Sequence, residues 1–596
     1  MSNWMTCREA AQRWACSERW ISILCKSGKV PGAEKRGRGW LIPVDAPRPA
    51  DGRIKSGAYQ KRRDEVPPMA ERRPLPLGIS DFARAAGECR YVDRTRFAAQ
   101  LLSQRPESLI LTRPHRWGKT LLLDMVRRYF EDTGENTSAL FRDRAVWSCG
   151  ERVTEQQGRY PVVILSCRDL RFDSWAQMRA RLGDRIRLAF ARHSALLDSG
   201  DCDPHLLTRF RSILEGDCGE AELSGALEVL ILLLEQHHGT RPILLVDDYD
   251  APLLEAARRG FGDAAVDFMS NLLSGALKDN PHLRFGVLTG VVPVLLPGLE
   301  HLRLDTVAAP DFSLGFTAGE IDALAEGAGD QLARHYGVPG RDGEMRCCPG
   351  AVLSALSGAA QPVVIRDEAL LDCLDQAGQE AQLRLLELLQ GATLSQEFDL
   401  HALTVSSAAA LWGRLLSLGY LSARPGEMRG LYALSLSCTA AAGELERHIL
   451  LRWAEQGLLS ADRAAAVREV LRNRDLAGMR PELGRLFSEC LAAGGGYPAL
   501  ALGLQALVGE QYRLSGSWEG NPGRFCLQLF PKSGELPVVA LRVRSGKRLS
   551  DDQLRTLAQT ALGQISPKSL GVKPGTAVLK FGAARSGEEV RLVSES

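Results

Sequence analysis

A Gly-Lys-Thr turn between an apolar run and a helix constrains this chain more than any other feature of its sequence. Residues 109–112 form a short β-type run, which leads into a loop that ends in Gly118-Lys119-Thr120. This layout predicts a phosphate-binding loop, in which backbone N–H groups and a helix N-terminus face an anion. Lys119 is expected at the β- and γ-phosphates, and the Thr120 hydroxyl on Mg²⁺. The usual pattern has a first glycine where this chain has Arg113.

An acidic segment further along the chain is the expected partner of this loop. The apolar residues 242–246 are followed by Asp247-Asp248-Tyr249-Asp250, and helical sequence separates them from the loop. P-loop ATPases use acids at such a strand end to hold Mg²⁺ and to polarise water. We therefore predict ATP and Mg²⁺ as cofactors, with Asp247 as a Mg²⁺ ligand and Asp248 as the group that positions water. The alternative is a surface lysine and a solvated acidic loop.

Length and composition limit the remaining choices. A chain of 596 residues is expected to form several domains, because single cores rarely grow past about 250–300 residues. Charge is nearly balanced over the whole chain, but residues 1–73 hold about sixteen Lys and Arg against about eight Asp and Glu. The cysteines are scattered without Cys-x-x-Cys pairs, which favours a reducing compartment. With no signal peptide and no long apolar run, the expectation is a cytoplasmic protein without membrane contact.

The first 45 residues predict a small DNA-binding domain. Thr6 and Glu9 form a capping box for one helix, Ser17 caps a second helix, and a basic hairpin or wing surrounds residues 35–42. Two short helices and a cationic wing are the layout of a winged helix-turn-helix.

This segment resembles the excisionase-like, MerR-type helix-turn-helix domains of bacteria, including a wing that ends in Trp-x-Ile-Pro. The resemblance implies binding to double-stranded DNA by two groups of residues. The group expected in the major groove is Ser17, Glu18, Arg19 and Ser22, and the group expected on phosphates or in a minor groove is Lys35, Arg36 and Arg38. The alternatives are a helical domain with a solvated basic face, or one that binds protein.

A basic linker is predicted over residues 46–74, and an α/β domain over residues 75–320. Buried-strand runs at residues 160–166, 242–246 and 285–290 alternate with helical sequence, which predicts a parallel sheet covered on both faces. Thr289 falls at a strand end beside the acidic strand. It is interpreted either as a sensor of the γ-phosphate or as a strand-capping hydroxyl.

Residues 75–320 resemble the bacterial AAA-ATPase-like family. The match includes Thr112 to Thr120 and the segment from Asp247 to Pro252. The resemblance implies nucleotide contacts from Arg116, Gly118, Lys119, Thr120, Asp247 and Thr289, and it makes the missing first glycine a family trait. Two departures place fast hydrolysis in doubt. Asp248 replaces a glutamate, and Pro293 replaces an arginine that would stabilise charge.

The last two predicted segments also follow this resemblance. Residues 321–479 are expected to form a helical connector that resembles a winged helix, and residues 480–596 a PD-(D/E)XK nuclease-like domain. In an active nuclease domain, an Asp and a Glu-x-Lys hold Mg²⁺ and orient water. Here the corresponding residues are Cys526, Ala540 and Arg542, so the domain is expected to be catalytically inactive.

The sequence thus predicts a multidomain α/β protein: a DNA-binding, ATP-binding regulator or switch with an inactive nuclease-like domain. One alternative is an active ATPase in a defence or mobile-element system. Another is a non-enzymatic DNA-binding repressor with a vestigial nucleotide site, and a third is an active nuclease. A homo-oligomer and a protein partner both stay open.

Overall fold

The computed structural model describes most of the chain, in two compact units that are treated separately below, residues 1–73 and 74–596. The described residues are 4–14, 18–37, 39–47, 73–103, 108–308, 314–340, 343–358, 378–426, 428, 430–493, 496–518, 524–533, 535–573 and 575–595. Ser17, Arg38 and most of the predicted linker lie outside the described residues, as does the side chain of Arg19.

In its described residues, the N-terminal unit has two helices and a small antiparallel sheet. Its elements are β1 (Trp4–Thr6), α1 (Cys7–Arg13), α2 (Glu18–Lys26), β2 (Glu34–Arg36) and β3 (Gly39–Pro43), with strand order β1-β3-β2. The predicted capping box is confirmed, because the backbone N–H of Thr6 donates to Glu9 (2.7 Å) and that of Glu9 to the Thr6 hydroxyl (3.3 Å). The wing is a hairpin of β2 and β3, and β1 adds a third strand that the sequence did not predict.

A five-stranded parallel sheet forms the centre of the second unit. Its strands are β4 (Ser108–Thr112), β5 (Val162–Ser166), β6 (Ile243–Asp247), β7 (Phe285–Gly290) and β8 (Arg303–Asp305), in the order β5-β6-β7-β4-β8. The parallel sheet is confirmed, and β8 is an additional edge strand. The order places β7 between the strand that precedes the Gly-Lys-Thr turn and the strand that ends in Asp247.

Helices cover both faces of this sheet. They are α3 (Phe82–Glu88), α4 (Arg96–Ser103), α5 (Lys119–Phe130), α6 (Glu151–Thr154), α7 (Trp175–Ala191), α8 (Pro204–Glu215), α9 (Glu220–Ser224), α10 (Ala226–His238), α11 (Ala251–Arg258) and α12 (Gly262–Leu277). Short 3₁₀ helices occupy Ser138–Leu140, Ala145–Cys149 and Ser194–Asp198. Side chains alternate along β4, so Ile110 packs into one core and Leu109 and Leu111 into the other. Both faces of the sheet are buried, so the strand sequences are continuous apolar runs.

The region after the sheet is mainly helical. Its elements are α13 (Ala318–Leu324), α14 (Gly329–Tyr336), β9 (Gly337–Pro339), β10 (Met345–Cys347), α15 (Pro349–Leu356), α16 (Gly378–Leu389), β11 (Leu394–Gln396), α17 (Ala408–Ser417), β12 (Leu421–Pro425), β13 (Tyr432–Leu436), α18 (Thr439–Glu455) and α19 (Ala461–Arg472). Strands β12 and β13 form an antiparallel hairpin, and β11 pairs with β13. The β9–β10 hairpin was not predicted.

The last region is a mixed sheet packed against helices. Its elements are α20 (Leu476–Ala492), α21 (Tyr497–Val508), β14 (Tyr512–Trp518), β15 (Phe525–Pro531), β16 (Val538–Ser545), α22 (Asp551–Gly563), α23 (Pro567–Leu570), β17 (Val578–Ser586) and β18 (Glu589–Ser594). The strand order is β14-β15-β16-β17-β18, with β16 and β17 parallel across α22.

One hydrophobic core joins the connector to this mixed sheet, because Trp412 and Phe581 belong to the same cluster of buried side chains. The predicted boundary at 479/480 falls inside α20. The division into connector and nuclease-like domain therefore stays a prediction. Among the described residues, none of the helices combines the length and the apolar character needed to cross a bilayer.

Candidate functional site

The loop between β4 and α5 has the backbone of an anion-binding turn. Arg116 and Gly118 both have positive φ angles, 65° and 82°, and α5 begins at Lys119 without a side-chain cap on its first N–H groups. At Gly118 the requirement is conformational, because a Cβ placed there would meet no atom within 4 Å. The uncapped helix N-terminus leaves N–H donors available for a phosphate.

Arg113 shows why the loop can lack its first glycine. Its guanidinium turns toward the sheet edge, where Nη2 lies 2.6 Å from Oδ1 of Asp305 and Nη1 donates to the carbonyl of Thr112 (2.8 Å). Both side chains of the Arg113–Asp305 ion pair are at most 3 % exposed. The arginine is therefore a structural link between the loop and β8.

Lys119 lies buried beneath the loop. Its ammonium donates to the carbonyls of Arg113 (2.9 Å) and Pro114 (3.1 Å). Burial lowers the pKa of Lys119, while the nearby carboxylates of Asp248, Asp250 and Asp247 oppose that shift. A phosphate that entered the loop would offer this ammonium a charged acceptor in place of two neutral carbonyls.

The end of the acidic strand meets two hydroxyls. The Thr120 hydroxyl donates to Oδ2 of Asp247, and the Thr289 hydroxyl donates to Oδ1 of the same carboxylate, each at 2.8 Å. Strand β7 between β4 and β6 makes this arrangement, since it carries Thr289 beside Asp247. The structure therefore brings Thr120 and Asp247 of the two motifs together with Thr289. A γ-phosphate contact by Thr289 stays a prediction.

Two further carboxylates complete the acidic edge. Asp248 is half-buried with φ 51°, and burial together with the Asp247 carboxylate raises the pKa of Asp248 to about 6, against the effect of Lys119. Asp250 is buried and accepts the backbone N–H groups of Val291 (2.9 Å) and Val292 (2.7 Å). Burial raises the pKa of Asp250, although those two hydrogen bonds act in the opposite direction. Asp250 thus fixes the loop that follows β7.

A cavity of about 730 Å³ opens over these groups. Lys119, Thr120, Asp248 and Asp250 line its polar side, and residues such as Leu77, Val92, Leu314 and Phe316 line its apolar side. This size lies within the range of small-molecule sites, and the lining joins charged groups to apolar side chains. Thr120 and Asp247 offer oxygen ligands for Mg²⁺, which takes only one or two protein groups when phosphates and water supply the rest.

Comparison with known proteins agrees with this geometry. Residues 76–300 match the model of a family described as "AAA-ATPase_like: Predicted AAA-ATPase". Residues 76–300 are thus similar to this family, and we call them the AAA-ATPase-like domain. The match supports a nucleotide-binding, ATPase-like core and, with it, a divalent metal at the phosphates.

A relative from Azotobacter chroococcum mcd 1, named "Uncharacterized protein in vnfD 5'region", is 29 % identical over 269 residues. The aligned part covers 42 % of this chain and 45 % of the relative, so the chain spans less than half of that protein's length. No solved structure matches the chain.

The side chain of Arg116 extends from the loop of the AAA-ATPase-like domain to the connector. Its Nη2 donates to the carbonyl of Gly350 (2.9 Å) and to the Ser354 hydroxyl (2.5 Å), both in α15. The side chain also lines the cavity. A phosphate contact by Arg116 stays a prediction.

The candidate DNA-binding residues lie on the surface of the N-terminal unit. Glu18, Lys35 and Arg36 are exposed, and Ser22 is half-exposed on α2. Arg36 forms an exposed ion pair with Glu34 (3.5 Å), which contributes little to stability. Their contact with DNA stays a prediction.

Two features of the site have no signal in the sequence. The Arg113–Asp305 ion pair joins residues 192 positions apart, and no local pattern indicates it. Arg414 of α17 lines the same cavity as Lys119 and is only 5 % exposed. Asp250, in contrast, stood in the acidic motif, and its hydrogen bonds to the loop after β7 give it a role that the motif alone did not indicate.

Proposed function

We propose that the protein is a DNA-binding, ATP-dependent regulator or switch. In this proposal the AAA-ATPase-like domain takes ATP·Mg²⁺, the N-terminal unit binds double-stranded DNA, and the C-terminal domain serves as an inactive, nuclease-like scaffold. The single observation that carries the proposal is the convergence of Lys119, Thr120 and Asp247 beside one cavity.

The nucleotide part rests on charge and geometry. Lys119 would neutralise charge on the β- and γ-phosphates, while Thr120 and Asp247 would hold Mg²⁺. Thr120 and Asp247 together offer a hydroxyl and a carboxylate oxygen, the ligands that Mg²⁺ takes beside phosphates and water. This is the reason to name ATP·Mg²⁺ and not ATP alone.

The DNA part rests on the N-terminal unit. Its exposed cations on the β2–β3 hairpin and the partly exposed face of α2 suit a phosphate backbone and a groove.

The scaffold role of the C-terminal domain rests on its chemistry. Ala540 is fully buried and has no side-chain oxygen to bind metal, and Cys526 lies opposite Arg542 in the β15–β16 pairing. Those positions offer no carboxylate for Mg²⁺.

The test couples the two sites. Affinity for a duplex selected from a random-sequence library is measured by fluorescence anisotropy, with no nucleotide, with Mg·ADP and with Mg·ATP. A switch predicts that Mg·ATP changes the DNA affinity of the wild type and leaves Lys119→Ala unchanged. Equal DNA affinity under all three conditions, with ATP bound, would refute the switch.

Slow ATP hydrolysis is a second candidate function, favoured by Asp248. This carboxylate lines the cavity, and its pKa of about 6 is suited to accept a proton near neutral pH. The test is phosphate release with and without DNA. Turnover that disappears in Lys119→Ala would make hydrolysis the output, and its absence from the wild type would leave binding alone.

A further inference from the structure

Helix α2 of the N-terminal unit carries an apolar side chain on its exposed, polar face. Ile21, Leu24 and Cys25 form the buried face of this helix, and each is at most 7 % exposed. Ile23, in contrast, is 56 % exposed, the highest value for a large apolar side chain among the described residues of this unit. Packing within the unit therefore does not explain why this position is apolar.

The neighbours of Ile23 on the surface of α2 are polar. Glu18 and Lys26 are exposed and Ser22 is half-exposed, and these three residues follow one another at four-residue spacing. Ile23 lies three residues before Lys26, so one side of the helix carries all four residues. Single exposed apolar residues are common on protein surfaces, but this one lies in the row of residues that is expected to enter a major groove.

The charge of the surrounding sequence favours a nucleic acid as the partner of this face. Residues 18–43 contain six Lys and Arg against two Glu. Lys26, Lys29 and Lys35 are exposed, so these ammonium groups are available to phosphates. A DNA duplex offers phosphates to the cations and base edges to the helix face between them.

The base edges in a major groove offer one apolar group. It is the C5-methyl group of thymine, whereas the other positions are hydrogen-bond donors and acceptors. The side chain of Ile23 cannot form hydrogen bonds, so thymine is the base that it can contact favourably. Its backbone is fixed in the helix, where its carbonyl accepts the N–H of Ser27 (2.9 Å), and a β-branched side chain in a helix has one strongly preferred rotamer. Little conformational freedom is therefore lost when Ile23 makes this contact.

We propose that Ile23 contacts the C5-methyl group of a thymine and makes the N-terminal unit prefer thymine at one position of its DNA site. Phosphate contacts position a protein on DNA without distinguishing sequences, whereas this contact distinguishes thymine from the three bases that lack a methyl group. The inference rests on the proposed DNA binding and adds a base preference to it.

The test replaces each thymine of the selected duplex, one at a time, by deoxyuridine, which lacks only the methyl group. Fluorescence anisotropy measures the affinity of the full chain as wild type, Ile23→Ala and Val44→Ala. Val44 is the matched control, because it is an exposed apolar residue of the same unit (39 %) that lies outside α2. One replacement is expected to weaken binding about fourfold in the wild type and in Val44→Ala, the effect of one buried methyl group. Ile23→Ala is expected to bind the thymine and uracil duplexes equally.

Two results would overturn the contact itself. The first is a wild type that binds every uracil duplex as tightly as the thymine duplex, and this result does not depend on the folding of any variant. The second is an equal response to uracil in the wild type and in Ile23→Ala, since another residue would then contact the methyl group.

Two other results would identify a different cause. A change in the oligomeric state of Ile23→Ala by light scattering, with an unchanged response to uracil, would assign this face to a second copy of the chain and overturn the proposal. Failure of the wild type to select any duplex would refute DNA binding, and the inference with it. That failure is distinguishable, because it appears before any thymine is replaced.

Discussion

The buried Arg113–Asp305 ion pair gives a quantitative test of how the loop works without its first glycine. Asp305→Asn keeps the size of the side chain but leaves the Arg113 guanidinium buried without its anion. The pair is 2.6 Å long and both side chains are at most 3 % exposed, so solvent cannot compensate for the loss. Breaking such a pair from one side typically costs about 3–5 kcal/mol in free energy of unfolding.

The assay is urea unfolding followed by tryptophan fluorescence; the ten tryptophans of the chain include Trp117 in the loop. Arg113→Met combined with Asp305→Leu should recover most of the loss, because apolar pairs often replace buried ion pairs without penalty. The control is Glu88→Gln, which breaks the exposed Arg84–Glu88 pair and should cost less than about 1 kcal/mol. A loss below about 1 kcal/mol for Asp305→Asn would refute the structural role of Arg113.

Three further predictions concern the rest of the account. If the protein hydrolyses ATP, kcat/KM should fall as pH drops below about 6, because Asp248 must be ionised to accept a proton. Asp248→Asn should abolish turnover. Asp248→Glu should raise turnover about 10- to 100-fold, because the glutamate side chain is one methylene longer. Gly350→Ala should weaken Mg·ATP binding in a calorimetric titration by displacing the loop, whereas Gly443→Ala, which has nothing within 4 Å of the added methyl, should bind normally. Arg36→Ala should lower the salt dependence of DNA binding by about one counter-ion on any sequence, and an unchanged slope in a salt titration would remove it from the interface.

The sequence predicted the part of the fold that local patterns encode. Strands β4 and β6 are buried on both faces, so each appears as an apolar run that ends at a polar residue. The Gly-Lys-Thr turn and the acidic motif follow those runs directly, which is why the Thr120–Asp247 contact could be expected. The Thr6–Glu9 capping box was predictable for the same reason, because both partners lie within one helical turn.

The features that the sequence did not predict depend on contacts between residues far apart in the chain. Strand β8 has only three residues, Arg303–Asp305, and its sequence has no apolar run; its place at the sheet edge depends on β4 and on Arg113. Arg414 lies nearly 300 residues after Lys119, and only the docking of the connector brings the two side chains to one cavity. The pairing of β1 with the wing likewise joins segments that carry no mutual signal.

Titration of fluorescent ATP, with and without Mg²⁺, is the most direct test of the central claim that Lys119 and Asp247 act on one bound triphosphate. The account predicts Mg²⁺-dependent binding by the wild type and at least about a tenfold loss in Lys119→Ala, because the variant removes a charge-assisted hydrogen bond from a buried site. Equal affinity of the two proteins for ATP would contradict it.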